Sequence, residues 1–302
     1  MSNTKFGPYL DVSVDALWWP DSRPNPKYSS AAIKYKMDML YLGFLTADIN
    51  NKAAWSAQSA TPINWAKPLC DELIAGGVDF AVSFGGAANN DISYVQTKEE
   101  LIKSYQEVIN SLGANCLDFD LENGRYNEDK IFAALQVIKS NNPQIKLSIT
   151  LPTTTSGLSS TGLLLIKKSF DAGLTMKVNG MAMDYYQGQN INMGEAVIST
   201  INGMKKQLST IFTGLTDEEL FSLIQVTPMI GLNDDRSLFK FQDVKLVSDF
   251  SKKNGVDLVS MWSLTRDKPG GSNQVAQPTN SGNPEQTKEF EYSELFTKYL
   301  KS

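Results

Sequence analysis

Eight short, β-rich apolar runs alternate with amphipathic helical patterns along almost the whole 302-residue chain, and no linker interrupts the alternation. The runs cover 9–14, 40–46, 79–84, 116–122, 146–151, 178–185, 224–230 and 258–264. Between 101 and 112, Leu101, Ile102, Tyr105, Val108, Ile109 and Leu112 fall on one helical face, with Glu99, Lys103 and Glu107 on the other. Similar patterns cover 65–75, 129–140, 161–172, 193–211, 242–254 and 287–300, with a weaker one at 29–36. Strands that each need a covering helix form a parallel sheet, and eight such units close into a barrel that commonly takes about 250 residues. The expected fold is therefore α/β, a single (β/α)8 TIM barrel spanning 1–302 as one domain. A doubly wound open sheet is the alternative. No GxGxxG or GxxxxGK follows any run, which weakens its nucleotide-binding version. The Pro-, Gly- and Asn-rich stretch 269–284 reads as a long loop after the last strand.

Composition narrows the chemistry. The chain has no histidine, which excludes Ser-His-Asp and Cys-His catalysis and histidine-ligated metals together. Acid–base work must fall to carboxylates. Cys70 and Cys116 stand apart with no CxxC spacing, so they read as buried small residues rather than a disulfide or zinc site. With 28 basic and 33 acidic side chains the net charge is −5, and no basic run stands out, so nucleic acid and anionic membranes are not expected partners. No apolar run is long enough to span a bilayer. The start, MSNTKFGPYL, lacks the charged and apolar segments of a secretory signal, which suits a domain of a longer secreted chain. No cofactor and no metal are expected; Asn233, Asp234 and Asp235 read as a turn.

Residues 115–122 read NCLDFDLE, with Asp118, Asp120 and Glu122 two apart. In a strand all three carboxyls project to one face, and Leu117, Phe119 and Leu121 to the other. Turned inward, the acids repel one another and lose water, so at least one keeps its proton at neutral pH. A carboxylic acid of that kind suits cleavage of a glycosidic bond. The plain alternative is an edge strand with its acids in water. In a parallel barrel, Glu122 lies nearest the mouth at the C-terminal strand ends, with Asp120 a layer deeper and Asp118 deeper again. Asp118 and Asp120 are then expected to share a proton, which biases Glu122 upward.

The segment resembles the DGxDxDxE signature of family-18 glycoside hydrolases, the chitinases and their relatives, and three further matches follow in barrel order. Ser83-Phe84-Gly85-Gly86 resembles the SxGG motif, Met181 to Tyr185 the sixth-strand MxYD region, and Trp262 the last-strand tryptophan. Phe6-Gly-Pro-Tyr-Leu-Asp11 is similar to the opening FAPYVD strand of bacterial members. The chain departs from the pattern at Asn115 and Cys116, where the family has Asp and Gly, and at Met183, where many members have tyrosine.

The resemblance implies a retaining mechanism in which the substrate's own 2-acetamido group attacks the anomeric carbon. Glu122 is then the acid and Asp120 holds the acetamido N–H, with Asp118 beneath and Asp184 alongside. Tyr185, two residues past Met183, stands in for the missing tyrosine if the strand continues. Trp262 becomes the floor under the sugar, and Trp18 and Trp19, beside Pro20, further pyranose platforms. Tyr9, Phe44, Gly86, Met181, Met183, Gln225 and Met229 complete the expected lining. The expected substrate is chitin or another N-acetylglucosamine-containing glycan, acted on by a monomer. An endo-β-N-acetylglucosaminidase acting on N-glycans or mucin glycans, and a catalytically silent chitin-binding lectin on the same fold, remain open alternatives.

Overall fold

The computed structural model describes residues 4–270 and 279–302, so 271–278 of the expected last-strand loop lie outside the described residues. All eight expected strands form: β1 (Lys5–Phe6, resuming as Tyr9–Asp11), β2 (Met39–Ala47), β3 (Asp79–Gly85), β4 (Cys116–Asp120), β5 (Lys146–Thr154), β6 (Lys177–Ala182), β7 (Ile224–Pro228) and β8 (Leu258–Val259). A helix follows each: α1 (Lys27–Lys34), α2 (Lys67–Ala75), α3 (Lys98–Glu107), α4 (Glu128–Asn141), α5 (Ser160–Asp171), α6 (Met193–Leu208), α7 (Phe241–Asn254) and α8 (Glu291–Lys301). Local signals start several of them. Thr97 and Glu100 form a capping box before α3, and the Asn127 side chain accepts from Lys130 N at the start of α4.

Each strand pairs in parallel with its sequence neighbours, and β1 closes the ring. Its first half pairs with β8 through Lys5↔Leu258 and Phe6↔Val259, its second half with β2 through Tyr9↔Tyr41. Pro8, with no N–H to give, separates the halves. Gly7 N and Tyr9 N still donate to Val259 O at 3.1 Å and Met261 O at 3.0 Å, so the ladder carries across the break. The barrel is closed; the open-sheet alternative is overturned. The exposed-edge reading of the acidic strand falls with it, because β4 is paired on both sides, by β3 and β5.

Period two holds along β4. Outward, Phe119 stacks on Phe84 with ring centroids 5.5 Å apart and meets Tyr105 of α3 edge-on, also at 5.5 Å. Phe119 is completely buried, which stabilises the fold by roughly 2–3 kcal/mol. Inward, Cys116 joins Tyr9, Met39, Tyr41, Ala81 and Leu258 in a small cluster inside the barrel. A cysteine in place of the family's glycine is thus accommodated as packing. Both Cys70 and Cys116 are buried free thiols, each pushed up to about 12 by that burial.

Several elements had no clear periodic signal: strand Ala53–Trp55 against the end of β2, helix Asp217–Leu223 before β7, and the hairpin Gly231–Leu232 with Leu238–Phe239. Among the described residues, no helix is long and apolar enough to cross a membrane.

Candidate active site

A cavity of about 480 Å³ opens at the C-terminal ends of the strands. It brings together Asp120, Glu122, Asp184, Tyr9, Phe44, Met181, Met183, Met229 and Trp262, nine of the residues expected from the sequence. Glu122 stands two residues past the end of β4 and is half-buried, while Asp120, the last residue of that strand, is 5% exposed. Backbone geometry holds Asp120 in place. Gly85 has φ +92°, and a Cβ there would lie 2.2 Å from Asp120 O, so only glycine lets the end of β3 pass this close. Gly86 N donates to Asp120 O at 3.0 Å.

Asp118 lies below the cavity and is completely buried. Its Oδ1 accepts from Ser148 Oγ at 2.6 Å and Thr150 Oγ1 at 2.9 Å; its Oδ2 accepts from Ser83 Oγ at 2.6 Å and Tyr9 Oη at 2.8 Å. Burial pushes this carboxyl up, and the four hydroxyls pull it back by stabilising the anion. Tyr9 and Thr150 both line the cavity and both bond Asp118, so they roof it off from any ligand.

The contacts pair Asp120 with Glu122 rather than with Asp118. Every oxygen of Asp118 is taken by hydroxyls, Asp120 Oδ1 is buried with no partner, and Asp120 meets Glu122 side chain to side chain. Burial first, then the charges of Glu122 and Asp118, push Asp120 well above the usual carboxylate range. Burial raises Glu122 to about 6; its hydrogen bond with Asp120 lowers it and the charge of Asp184 raises it. Burial and mutual repulsion disfavour ionising two neighbouring carboxyls together, so the pair is suited to keeping a proton. Asp184 is itself pushed up, by burial and by Asp234, while Asp234 N donates to its Oδ1 at 2.7 Å.

Trp262 stands just beyond β8, in an isolated bridge with Met229, rather than on the strand itself. Its ring is 5.8 Å from Phe44 at 29° and 6.1 Å from Tyr9 at 57°. Tyr9 stacks in turn on Tyr41 at 4.8 Å. The half-buried indole thus rests on an aromatic bed and keeps a face toward the cavity.

Six expected residues do not line the cavity. Asp118 is roofed off, as described. Tyr185 is turned away: β6 ends at Ala182, Asp184 takes φ +50°, and the alternation that would carry Tyr185 inward is lost. Its hydroxyl bonds Thr200 Oγ1 of α6 at 2.7 Å instead. Gln225 is buried deeper in the barrel, accepting from Tyr41 Oη at 2.6 Å and donating to Asp257 Oδ2 at 2.8 Å. Gly86 lies against the Phe44 ring, with Gly85 in the lining instead. Trp18 stacks on Trp65 at 5.8 Å with 51% of its surface exposed, and Trp19 is 88% exposed.

Asp11, Ser13, Ser56, Asn89, Thr150, Thr227 and Asp234 line the cavity without having been expected to. Thr150 was within reach of pattern reasoning, since it pairs in register with Asp120 and shares its inward phase. Ser13, Ser56 and Asn89 lie in loops, where no periodicity operates.

No family model matches the chain. In structure it is similar to active domain 2 of the thermostable chitinase of Pyrococcus furiosus, solved as catalytic-site mutants complexed with chito-oligosaccharides. The match has a TM-score of 0.87 and 28% identity, over 100% of this chain and 96% of that one. In sequence it is 26% identical to the probable bifunctional chitinase/lysozyme of Escherichia coli (strain K12), over 98% of this chain and 34% of the relative. It is 27% identical to endochitinase 11 of Metarhizium anisopliae, over 87% of this chain and 52% of the relative. The chain thus spans between a third and about half of these curated relatives. The resemblance to family-18 glycoside hydrolases read from the sequence motifs is borne out along the full chain.

Proposed function

We propose that this chain is the catalytic domain of a retaining chitinase, which cleaves β-1,4-linked N-acetylglucosamine polymers with the help of the substrate's own 2-acetamido group. The observation that carries the reading is the neighbouring, buried carboxyls of Asp120 and Glu122 on the wall of a cavity that also presents the Trp262 ring. One group must donate a proton while its neighbour stays anionic, and a buried pair holding one proton supplies both states at once. The similarity to a domain complexed with chito-oligosaccharides supports the substrate class.

In this proposal Glu122 gives its proton to the glycosidic oxygen as the C1–O bond breaks. The acetamido carbonyl oxygen takes the leaving group's place on C1 and forms an oxazolinium ion. Asp120, as the anion, accepts from the acetamido N–H and offsets the positive charge that develops there, an interaction strong in a site poor in water. Water then attacks C1, Glu122 takes its proton, and the ring opens with retained configuration. Trp262 stacks beneath the sugar. Asp118, bonded by four hydroxyls that favour its anion against burial, raises the proton affinity of Asp120 from below. We place the domain in a longer, secreted protein acting as a monomer.

The test is to incubate the protein separately with chitotetraose and with an N-linked glycopeptide and to weigh the products by mass spectrometry. Cleavage of chitotetraose supports the proposal. Release of the glycan from the glycopeptide alone would make the chain an endo-β-N-acetylglucosaminidase, and binding of both without cleavage would make it a lectin.

A further inference from the structure

The turn after β7, read from the sequence as a plain Asn-Asp-Asp turn, ties down one wall of the cavity. Asn233 is 1% exposed. Its Nδ2 donates to Met229 O at 2.9 Å and to Gly231 O at 3.2 Å, and its Oδ1 accepts from Asp184 N at 3.2 Å. All polar atoms of the amide are therefore used, and they join the segment after β6 to the segment after β7. Two more bonds cross the same seam: Asp234 N to Asp184 Oδ1 at 2.7 Å, and Tyr186 N to Asp235 Oδ2 at 2.8 Å. Asp184 and Tyr186 both need this bracing, because each has a positive φ, +50° and +55°, that a non-glycine residue seldom adopts unaided.

We propose that Asn233 is a positioning residue of this site: its buried amide holds Asp184 where the Asp184 carboxylate acts on Glu122, and so sets the pH range in which Glu122 carries a proton. The inference rests on the glycosidase reading for its consequence in rate, but not for the electrostatics.

The charged groups around the pair come from five parts of the barrel. Asp120 meets Glu122 from β4, and Asp184, from the segment after β6, lines the same cavity and acts on Glu122 through its charge. Asp234 and Asp235 stand beside Asp184 from the turn after β7, and Arg266, buried after β8, lies near both Asp184 and Asp234 and donates to Ile230 O and Leu232 O. Asp11, at the end of β1, lines the same cavity. Of these, Asp184 is the group whose place depends on the Asn233 amide. A negative charge held near an acid favours the protonated form, so a freed Asp184 lets Glu122 release its proton at lower pH.

The experiment compares wild type with Asn233→Ala and, to guard against misfolding, with Asp235→Ala, which removes the acceptor for Tyr186 N and for Ser237 N and Oγ but leaves the Asn233 amide in place. The kcat/KM profile on chitotetraose should move to lower pH by at least about half a unit in Asn233→Ala, and by less in Asp235→Ala, with KM changed less than about two-fold. A carboxyl carbon NMR titration of Glu122 in the same proteins should show the same displacement without turnover. Profiles and titrations that coincide with wild type, whether or not the rate falls, would overturn the proposal. A wild type inert toward chitotetraose would sink the chitinase reading alone, since the titration still reports on Glu122.

Discussion

Asp120 and Glu122 meet side chain to side chain just past the end of β4, each carboxyl pushed up by burial, while Asp118, one layer below, accepts from four hydroxyls. Three acids two residues apart, two on β4 and one just past its end, thus stand in different surroundings. The difference comes from what each oxygen touches, and it decides what each substitution should do.

Glu122→Gln keeps the shape of the side chain but has no proton to give. Turnover of chitotetraose should fall by about 1,000-fold or more, while oligosaccharide binding by calorimetry stays within about three-fold of wild type. Near wild-type hydrolysis would end the assignment of Glu122 as the acid.

Asp120→Asn removes the anion that cradles the acetamido group and leaves Glu122 without a carboxyl partner. The rate should drop by roughly 100- to 1,000-fold. A pair needing one proton loses activity when a second proton enters as well as when the first leaves, so wild type should give a bell. The variant should lose the acid limb that comes from the pair. A bell of unchanged shape would count against the shared proton.

Trp262→Ala removes the ring presented to the cavity and its stacking on Phe44, while Tyr9 keeps its own stacking on Tyr41. Steady-state kinetics should show KM up about 10-fold, roughly 1.4 kcal/mol of lost sugar contact, with a smaller change in kcat. Unchanged KM would mean the indole serves packing alone.

Tyr185→Phe tests the correction at the sixth strand. The hydroxyl bonds Thr200, away from the cavity, so kcat and KM should stay within about two-fold while stability falls by about 1 kcal/mol. A 100-fold loss of kcat would return Tyr185 to the site.

Asp91 gives a pH-dependent stability test outside the site. Its Oδ1 accepts from Ser93 N at 2.7 Å, its Oδ2 is buried without a partner, and burial raises the carboxyl to about 6. The folded state binds this proton more tightly than the unfolded chain, so the favourable contribution is present below the unfolded pKa and is lost as pH rises through about 6. Asp91→Asn keeps the Oδ1 acceptor and removes the buried charge. Urea unfolding should show it more stable than wild type by roughly 1–3 kcal/mol at pH 8, with the gain gone near pH 4.

The sequence by itself determined the periodic features of this protein. Eight alternations of β-like and helical patterns specify the closed barrel, because each strand's outer face must be covered and β1 pairs with both β2 and β8. Period two along 116–120 turns Asp118 and Asp120 inward and leads the chain to Glu122 at the mouth, with Leu117 and Phe119 in the outer core. Tertiary structure alone decided what depends on where regular backbone stops and on who sits across the barrel. Tyr185 left the site because Asp184 turns to positive φ after β6, where alternation carries no information. Asp120 pairs with Glu122 rather than Asp118 because hydroxyls from β1, β3 and β5 occupy both oxygens of Asp118. Those residues are 30 to 109 positions away along the chain, and a hydrogen-bond network is a property of distance in space.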